Sequence, residues 1–131
     1  KKIFLVKNDR TSGLSNLLLN KNWRNEYKNY IQETKVPNLS VIPTGPYPPN
    51  PSELLASPRF KHFLNEIEKE YDYIFLDCPP LVGLNDTLVV SSIADTTIIV
   101  AHHKKTQLSV LEKCKKSLDR ILWIWYYNQV F

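Results

Sequence analysis

The residues Tyr73-Ile74-Phe75-Leu76 form a continuous apolar run that ends in a carboxylate, Asp77, and Cys78-Pro79-Pro80 then stop any strand. An acid at the end of a buried strand is suited to holding a hydrated magnesium ion. That ion keeps much of its water shell and takes only one or two protein carboxylates alongside phosphate oxygens. The same acid can serve simply to cap the turn that follows. Cys78 has no base or cation beside it in sequence to lower its pKa, so it reads as a structural thiol. His102 and His103 are adjacent, and on an extended segment their imidazoles point to opposite faces, which excludes them as a metal pair. His62 falls on the wet side of a helical pattern.

These groups need elements to hold them. Apolar runs occur at Ile3-Phe4-Leu5-Val6, Leu39-Ser40-Val41-Ile42, Tyr73-Ile74-Phe75-Leu76, Thr97-Ile98-Ile99-Val100-Ala101 and Ile121-Leu122-Trp123-Ile124-Trp125-Tyr126. Helical patterns alternate with them, which predicts an α/β fold: a mostly parallel sheet flanked by helices. Ser57-Pro58 predicts a helix start, with Phe60, Phe63, Leu64 and Ile67 as its single apolar stripe. Residues 85–94 are expected to be a helix facing inward through Leu88, Val89 and Ile93. Thr106 is expected to cap another, with Leu108, Leu111, Cys114 and Leu118 on its inner side. Residues 20–35, with Trp23, Tyr27, Tyr30 and Ile31 at helical spacing, also read as helix.

One segment resists both patterns. Pro43-Thr44-Gly45-Pro46-Tyr47-Pro48-Pro49-Asn50-Pro51 cannot enter a sheet interior and must be a stiff surface loop. A rigid loop leaving the end of a strand is also where α/β sheets place ligands and partners.

The bulk properties set limits. The 131 residues suit one domain, and 43% hydrophobic with 23% charged residues is an ordinary globular composition. No apolar run approaches the ~20 residues needed to cross a bilayer, so a cytoplasmic address is expected. The net charge of +4 is scattered over Lys104-Lys105, Lys113 and Lys115-Lys116, without the basic stripe that nucleic acid requires, so no nucleic-acid partner is expected. Cys78 and Cys114 fit neither a disulfide framework nor a zinc site. The chain has no Met and opens at Lys1-Lys2-Ile3, so it is expected to be part of a longer protein.

Several stretches at their present spacing resemble the bacterial tyrosine kinases of capsule and exopolysaccharide operons. They are Gly13-Leu14-Ser15-Asn16-Leu17-Leu18, Pro48-Pro49-Asn50-Pro51-Ser52-Glu53-Leu54-Leu55-Ala56-Ser57 and Tyr71-Asp72-Tyr73-Ile74-Phe75-Leu76-Asp77-Cys78-Pro79-Pro80, with Asp86 and Ala94-Asp95 beyond. The likeness covers most of residues 13–120. Asn50-Pro51-Ser52-Glu53-Leu54-Leu55 separates that family from the cell-division and partition ATPases. The resemblance implies a P-loop NTPase-like domain in which Asp77 is the Walker B acid, positioning Mg²⁺ and orienting a tyrosine hydroxyl. It implies that Asp9 is a second metal-facing acid and that Asn128 lies near the adenine. It further implies ATP with Mg²⁺ as cofactors, a membrane-anchored activator as partner, self-association, and a place at the inner face of the membrane.

Three departures shape the expectation. Lys7 stands where the family has the first acid of its Asp-x-Asp motif, bringing a positive charge to a metal's place. None of the three glycines, Gly13, Gly45 and Gly83, belongs to a Gly-x-x-x-x-Gly-Lys-[Ser/Thr] phosphate loop. Tyr126-Tyr127 fall short of the family's terminal tyrosine cluster and read as core packing. A truncated or degenerate kinase is therefore expected; the alternatives are a non-catalytic interaction module or a partition-type ATPase fragment.

Overall fold

A computed structural model describes residues 11–78, 85–102, 105–118 and 121–126. The chain divides into two compact units, residues 1–70 and 71–131. In the first, helices α1 (Leu14–Leu19), α2 (Trp23–Glu26), a short 3-10 helix (Tyr27–Tyr30), α3 (Pro51–Leu55) and α4 (Pro58–Ile67) accompany strands β1 (Gln32–Glu33) and β2 (Ser40–Val41). In the second, α5 (Asn85–Ile93), β3 (Thr97–His102), α6 (Leu108–Ser117) and β4 (Ile121–Tyr126) follow in order.

The first unit packs on α4. Ser57 is its N-cap, accepting from the Phe60 N–H at 3.3 Å, and Pro58 fills the first helical position, where its missing N–H costs nothing. Phe60, Phe63 and Ile67 are buried as the periodicity predicts, and Leu64 is half-buried at the edge of the stripe. The Phe63 ring meets the Trp23 and Tyr27 rings edge-on, each with centroids 6.2 Å apart, which suits the aromatic quadrupoles. Leu17 and Leu18 of α1 complete the buried apolar set. Arg59 on α4 donates to the carbonyl oxygens of Leu18 at 2.6 Å and Asn20 at 3.3 Å, placing a cation where the dipole of α1 ends.

The other end of α1 is sealed by the proline loop. The Leu14 and Ser15 N–H groups, which have no partner inside their own helix, donate to the Pro43 and Thr44 carbonyls at 2.8 and 3.0 Å. The Ser15 hydroxyl donates to the Pro46 carbonyl at 2.7 Å, and Asn16 Oδ1 accepts from the Gly13 N–H at 3.1 Å. Two glycines make this backbone-on-backbone contact possible. A Cβ on Gly13 would overlap the Pro43 oxygen and the Gly45 nitrogen, with the Gly45 Cα at 2.7 Å. Gly45 has φ +79°, and a Cβ there would meet Ser15 Oγ at 2.7 Å.

Residues 20–35 are not one helix. The chain forms α2, the 3-10 turn and then β1, which pairs antiparallel with β2 through Gln32↔Val41 and Glu33↔Ser40. Side chains that compete with the helical ladder explain the break. Asn20 Oδ1 accepts from the Asn22 N–H at 2.8 Å, and Asn20 Nδ2 donates to Glu26 at 2.8 Å. Asn38, at φ +60°, turns the chain between the two strands, a conformation asparagine tolerates. The run at residues 39–42 therefore supplies a short antiparallel strand, not a member of a parallel sheet.

The second unit does contain a parallel pair. β3 and β4 run in register from Thr97↔Ile121 to His102↔Tyr126, joined by the crossover helix that parallel strands require. Ile99 and Ala101 face Leu111 and Cys114 of α6 and Leu118 just beyond it, and Ile98 and Val100 alternate onto the exposed face. The N-cap of α6 is Gln107, one residue later than expected, and Leu108 is exposed. Thr106 instead accepts from the His102 N–H at 2.9 Å, closing the turn that leaves β3. α5 buries Thr87 and Val90, leaving Leu88 exposed and Val89 and Ile93 only half-buried. Three consecutive apolar residues at 88–90 leave its inner face undetermined by periodicity. Residues 71–78 form no ladder among the described residues, because a strand exists only by its partner; Tyr73 and Phe75 are 81% and 78% exposed.

A hydrogen-bonded cluster ties the 3-10 helix to the end of α4. The Tyr27 hydroxyl donates to Glu70 Oε1 at 2.5 Å, and Lys28 Nζ lies 3.2 Å from the same oxygen. The bond to the Glu70 carboxylate raises the Tyr27 pKa, and the bond from Tyr27 lowers that of Glu70. Tyr27 should therefore ionise at higher pH than an ordinary tyrosine, and Glu70→Gln should move it back down, as read from its ring resonances by NMR. Gly13→Ala should destabilise the first unit by about 2 kcal/mol or more, the cost of forcing an atom into a packed contact. Urea unfolding monitored by circular dichroism checks this; an unchanged midpoint would show that the seal can relax.

Candidate functional site

Asp77 ends the apolar run at residues 73–76, and its side chain is exposed. Cys78, half-buried, follows it. Burial first, and then the negative charge of Asp77, push the Cys78 thiol above the usual range. A thiol held protonated in this way is a poor nucleophile and a poor metal ligand. Cys114 is buried against β3, as a structural thiol should be. His62 is exposed on α4, as its place in the helical pattern predicts. No group of three His, Cys, Asp or Glu side chains able to hold a metal occurs among the described residues. Asp77 is thus the one predicted site residue that the structure describes. Asp9, Lys7 and Asn128 lie outside the described residues, as do His103 and Gly83.

The motif segment at residues 50–57 has a local physical explanation. Asn50 precedes Pro51 at the first position of α3, and its Nδ2 donates to Glu53 Oε2 at 3.0 Å. Ser57 closes α3 by donating its hydroxyl to the Leu54 carbonyl at 2.7 Å, and the same oxygen caps α4. Asn50, Pro51, Glu53 and Ser57 therefore shape one helix–helix joint. Residues 13–18 are explained by the seal at Gly45. That contact was not foreseen from the sequence, although the signal was present: two of only three glycines, each beside a helix start or a proline.

Comparison with known proteins places this geometry. The profile of the AAA domain family matches residues 2–123, nearly the whole chain. CapB of Staphylococcus aureus is 41% identical over 109 residues, 83% of this chain and 46% of that protein. Tyrosine-protein kinase ptk of Acinetobacter johnsonii is 36% identical over 104 residues, 79% of this chain and 14% of that protein. The chain thus spans less than half the length of these relatives. Among solved structures, the kinase domain of VpsO superposes with a TM-score of 0.80 at 23% identity, covering 96% of this chain and 62% of that one, a likeness of fold. The chain belongs to the AAA domain family and, within it, to the bacterial tyrosine kinases.

Proposed function

We propose that residues 1–131 contribute the acid-bearing part of an ATP-dependent tyrosine kinase of capsule or exopolysaccharide synthesis, with Asp77 as its magnesium-facing carboxylate. The observation that carries this reading is an exposed acid at the end of an apolar run, inside the region shared with tyrosine kinases. A single carboxylate is enough for Mg²⁺, whose other positions go to water and to substrate phosphates. ATP, when bound, supplies the phosphoryl group for a tyrosine hydroxyl. The P-loop NTPase sheet to which β3 and β4 would belong is part of the same proposal, as is a second acid at Asp9 and an adenine contact at Asn128.

The 131 residues hold no Gly-x-x-x-x-Gly-Lys-[Ser/Thr] loop. Backbone N–H groups and a lysine around the phosphates offset most of the charge in phosphoryl transfer, so nucleotide binding is assigned only together with a segment carrying such a loop. No helix among the described residues is long and apolar enough to cross a membrane. A cytoplasmic position at the membrane's inner face, through a membrane-anchored activator, accords with that and with the family. Self-association belongs to the proposal on the same footing. Lys7, a cation at the place of the family's first acid, favours one second reading: a module that keeps the partner contacts without turning over ATP.

Two experiments bear on Asp77. The chain carrying Lys7→Asp, joined behind a strand and a Gly-x-x-x-x-Gly-Lys-Ser loop, should bind ATP in a Mg²⁺-dependent manner by calorimetry. In that protein Asp77→Ala should weaken binding at least tenfold, and unchanged affinity would remove Asp77 from its role. In the chain itself, Cys78 should react with iodoacetamide more slowly at pH 8 than an ordinary exposed thiol. Asp77→Asn should speed that reaction by removing a charge that disfavours the thiolate.

A further inference from the structure

The hydroxyl of Tyr27 lies at the surface and is met by two groups of opposite charge. It donates to Glu70 Oε1 at 2.5 Å, and Lys28 Nζ lies 3.2 Å from that oxygen and 5.7 Å from the centre of the Tyr27 ring. The ring is set edge-on against the buried Phe63. Glu70 is held by its own N–H, which donates to the Ile67 carbonyl at 2.9 Å. Lys69 is engaged by Glu66 at 3.1 Å, so Lys28 is the cation that serves this corner. The Lys28 and Glu70 side chains are 66% and 40% exposed. Ion pairs that open to water contribute about 0–1 kcal/mol, so stability alone gives little reason for the arrangement.

A phenol in this setting has what phosphoryl transfer asks of an acceptor. The base must lie within hydrogen-bond reach of the proton it takes, and Glu70 does. As the bond from the phenol oxygen to the γ-phosphorus of ATP forms, the bond from that phosphorus to the β,γ-bridging oxygen breaks. Its electron pair leaves on ADP, and the phenol proton passes to Glu70 and then to water. The new group carries about −1.5 to −2 charge at pH 7. It repels the Glu70 carboxylate, and Lys28 stands ready to turn from the carboxylate to the phosphate. The segment can also be presented to an enzyme. α2 and the 3-10 helix have four residues each, and helices so short are held by their contacts more than by their own ladder.

We propose that Tyr27 is a phosphorylation site, with Glu70 taking its proton, Lys28 receiving the phosphate, and the phosphoryl group coming from ATP on a separate tyrosine kinase. Phosphorylation exchanges the Tyr27–Glu70 bond for a local pair between Tyr27 and Lys28. It unties the 3-10 helix from the end of α4 and frees Glu70, from which the chain runs on to Asp77. The proposal requires no nucleotide binding by this chain and does not rest on the role of Asp77.

The test incubates the full chain at pH 7 with ATP, Mg²⁺ and the isolated VpsO kinase domain, and follows phosphate at each tyrosine by mass spectrometry of proteolytic peptides. Tyr27 is expected to be modified at least tenfold faster than Tyr47 and Tyr73, which are 80% and 81% exposed; exposure alone predicts the reverse. Glu70→Gln keeps an acceptor oxygen but cannot take a proton. It should slow modification of Tyr27 at least tenfold, with the rates at Tyr47 and Tyr73 and the circular dichroism unchanged. In the phosphorylated chain the Glu70 carboxyl, having lost its bonds from Tyr27 and Lys28, should titrate at higher pH by NMR. Absence of phosphate at Tyr27, faster modification of Tyr47 or Tyr73, an undiminished rate in Glu70→Gln, or an unmoved Glu70 titration would overturn the proposal.

Discussion

In the first unit, α1 and the proline loop both depend on the contact between Gly13 and Gly45. A helix start leaves N–H groups that water or a side chain must satisfy. Here the Leu14 and Ser15 donors are satisfied by main-chain oxygens of a distant loop. Neither segment is fixed without the other: α1 gains its cap, and the loop gains the anchor from which its prolines project. The requirement for two glycines has two causes: a methyl group at Gly13 meets backbone atoms that cannot step aside, and Gly45 holds φ +79°, a conformation that side chains disfavour.

The second unit is built on a different constraint. β3 and β4 run the same way, so the chain must return through α6, and the return covers one face of the pair. Ile99 and Ala101 point into that cover, and the intervening residues do not. The alternation along residues 97–102 is thus a direct record of which side the crossover helix took.

Much of this was legible in advance, and the parts that were not have identifiable reasons. Ser57-Pro58 and the Phe60, Phe63, Ile67 spacing announce α4 because cap, first-turn proline and stripe agree. The runs at 97–102 and 121–126 read correctly as strands, being long and rich in β-branched or aromatic residues. The stretch at 20–35 misled because its aromatics fall at helical spacing, while the Asn20 side chain takes the Asn22 backbone N–H and the Glu26 carboxylate in bonds that compete with a continuous helix. Thr106 resembles a cap but serves the strand before it. For the site, the motif around Asp77 was readable, and the structure adds its exposure and its effect on Cys78. What periodicity could not supply was the pairing of glycines far apart in the chain: their scarcity marks both positions, but nothing in the order of residues joins one to the other.

Ser57 has a consequence for how the α3–α4 joint moves. One hydroxyl donates backward to the Leu54 carbonyl and accepts forward from the Phe60 amide. Backbone bonds run beside it, from the Ser57 N–H to the Leu54 carbonyl at 3.3 Å and from the Phe60 N–H to the Ser57 carbonyl at 3.1 Å, so the hydroxyl doubles the fastening of each helix end. One side chain thus stiffens two helices at once, and its loss would soften the hinge between them while the main chain still held each in place.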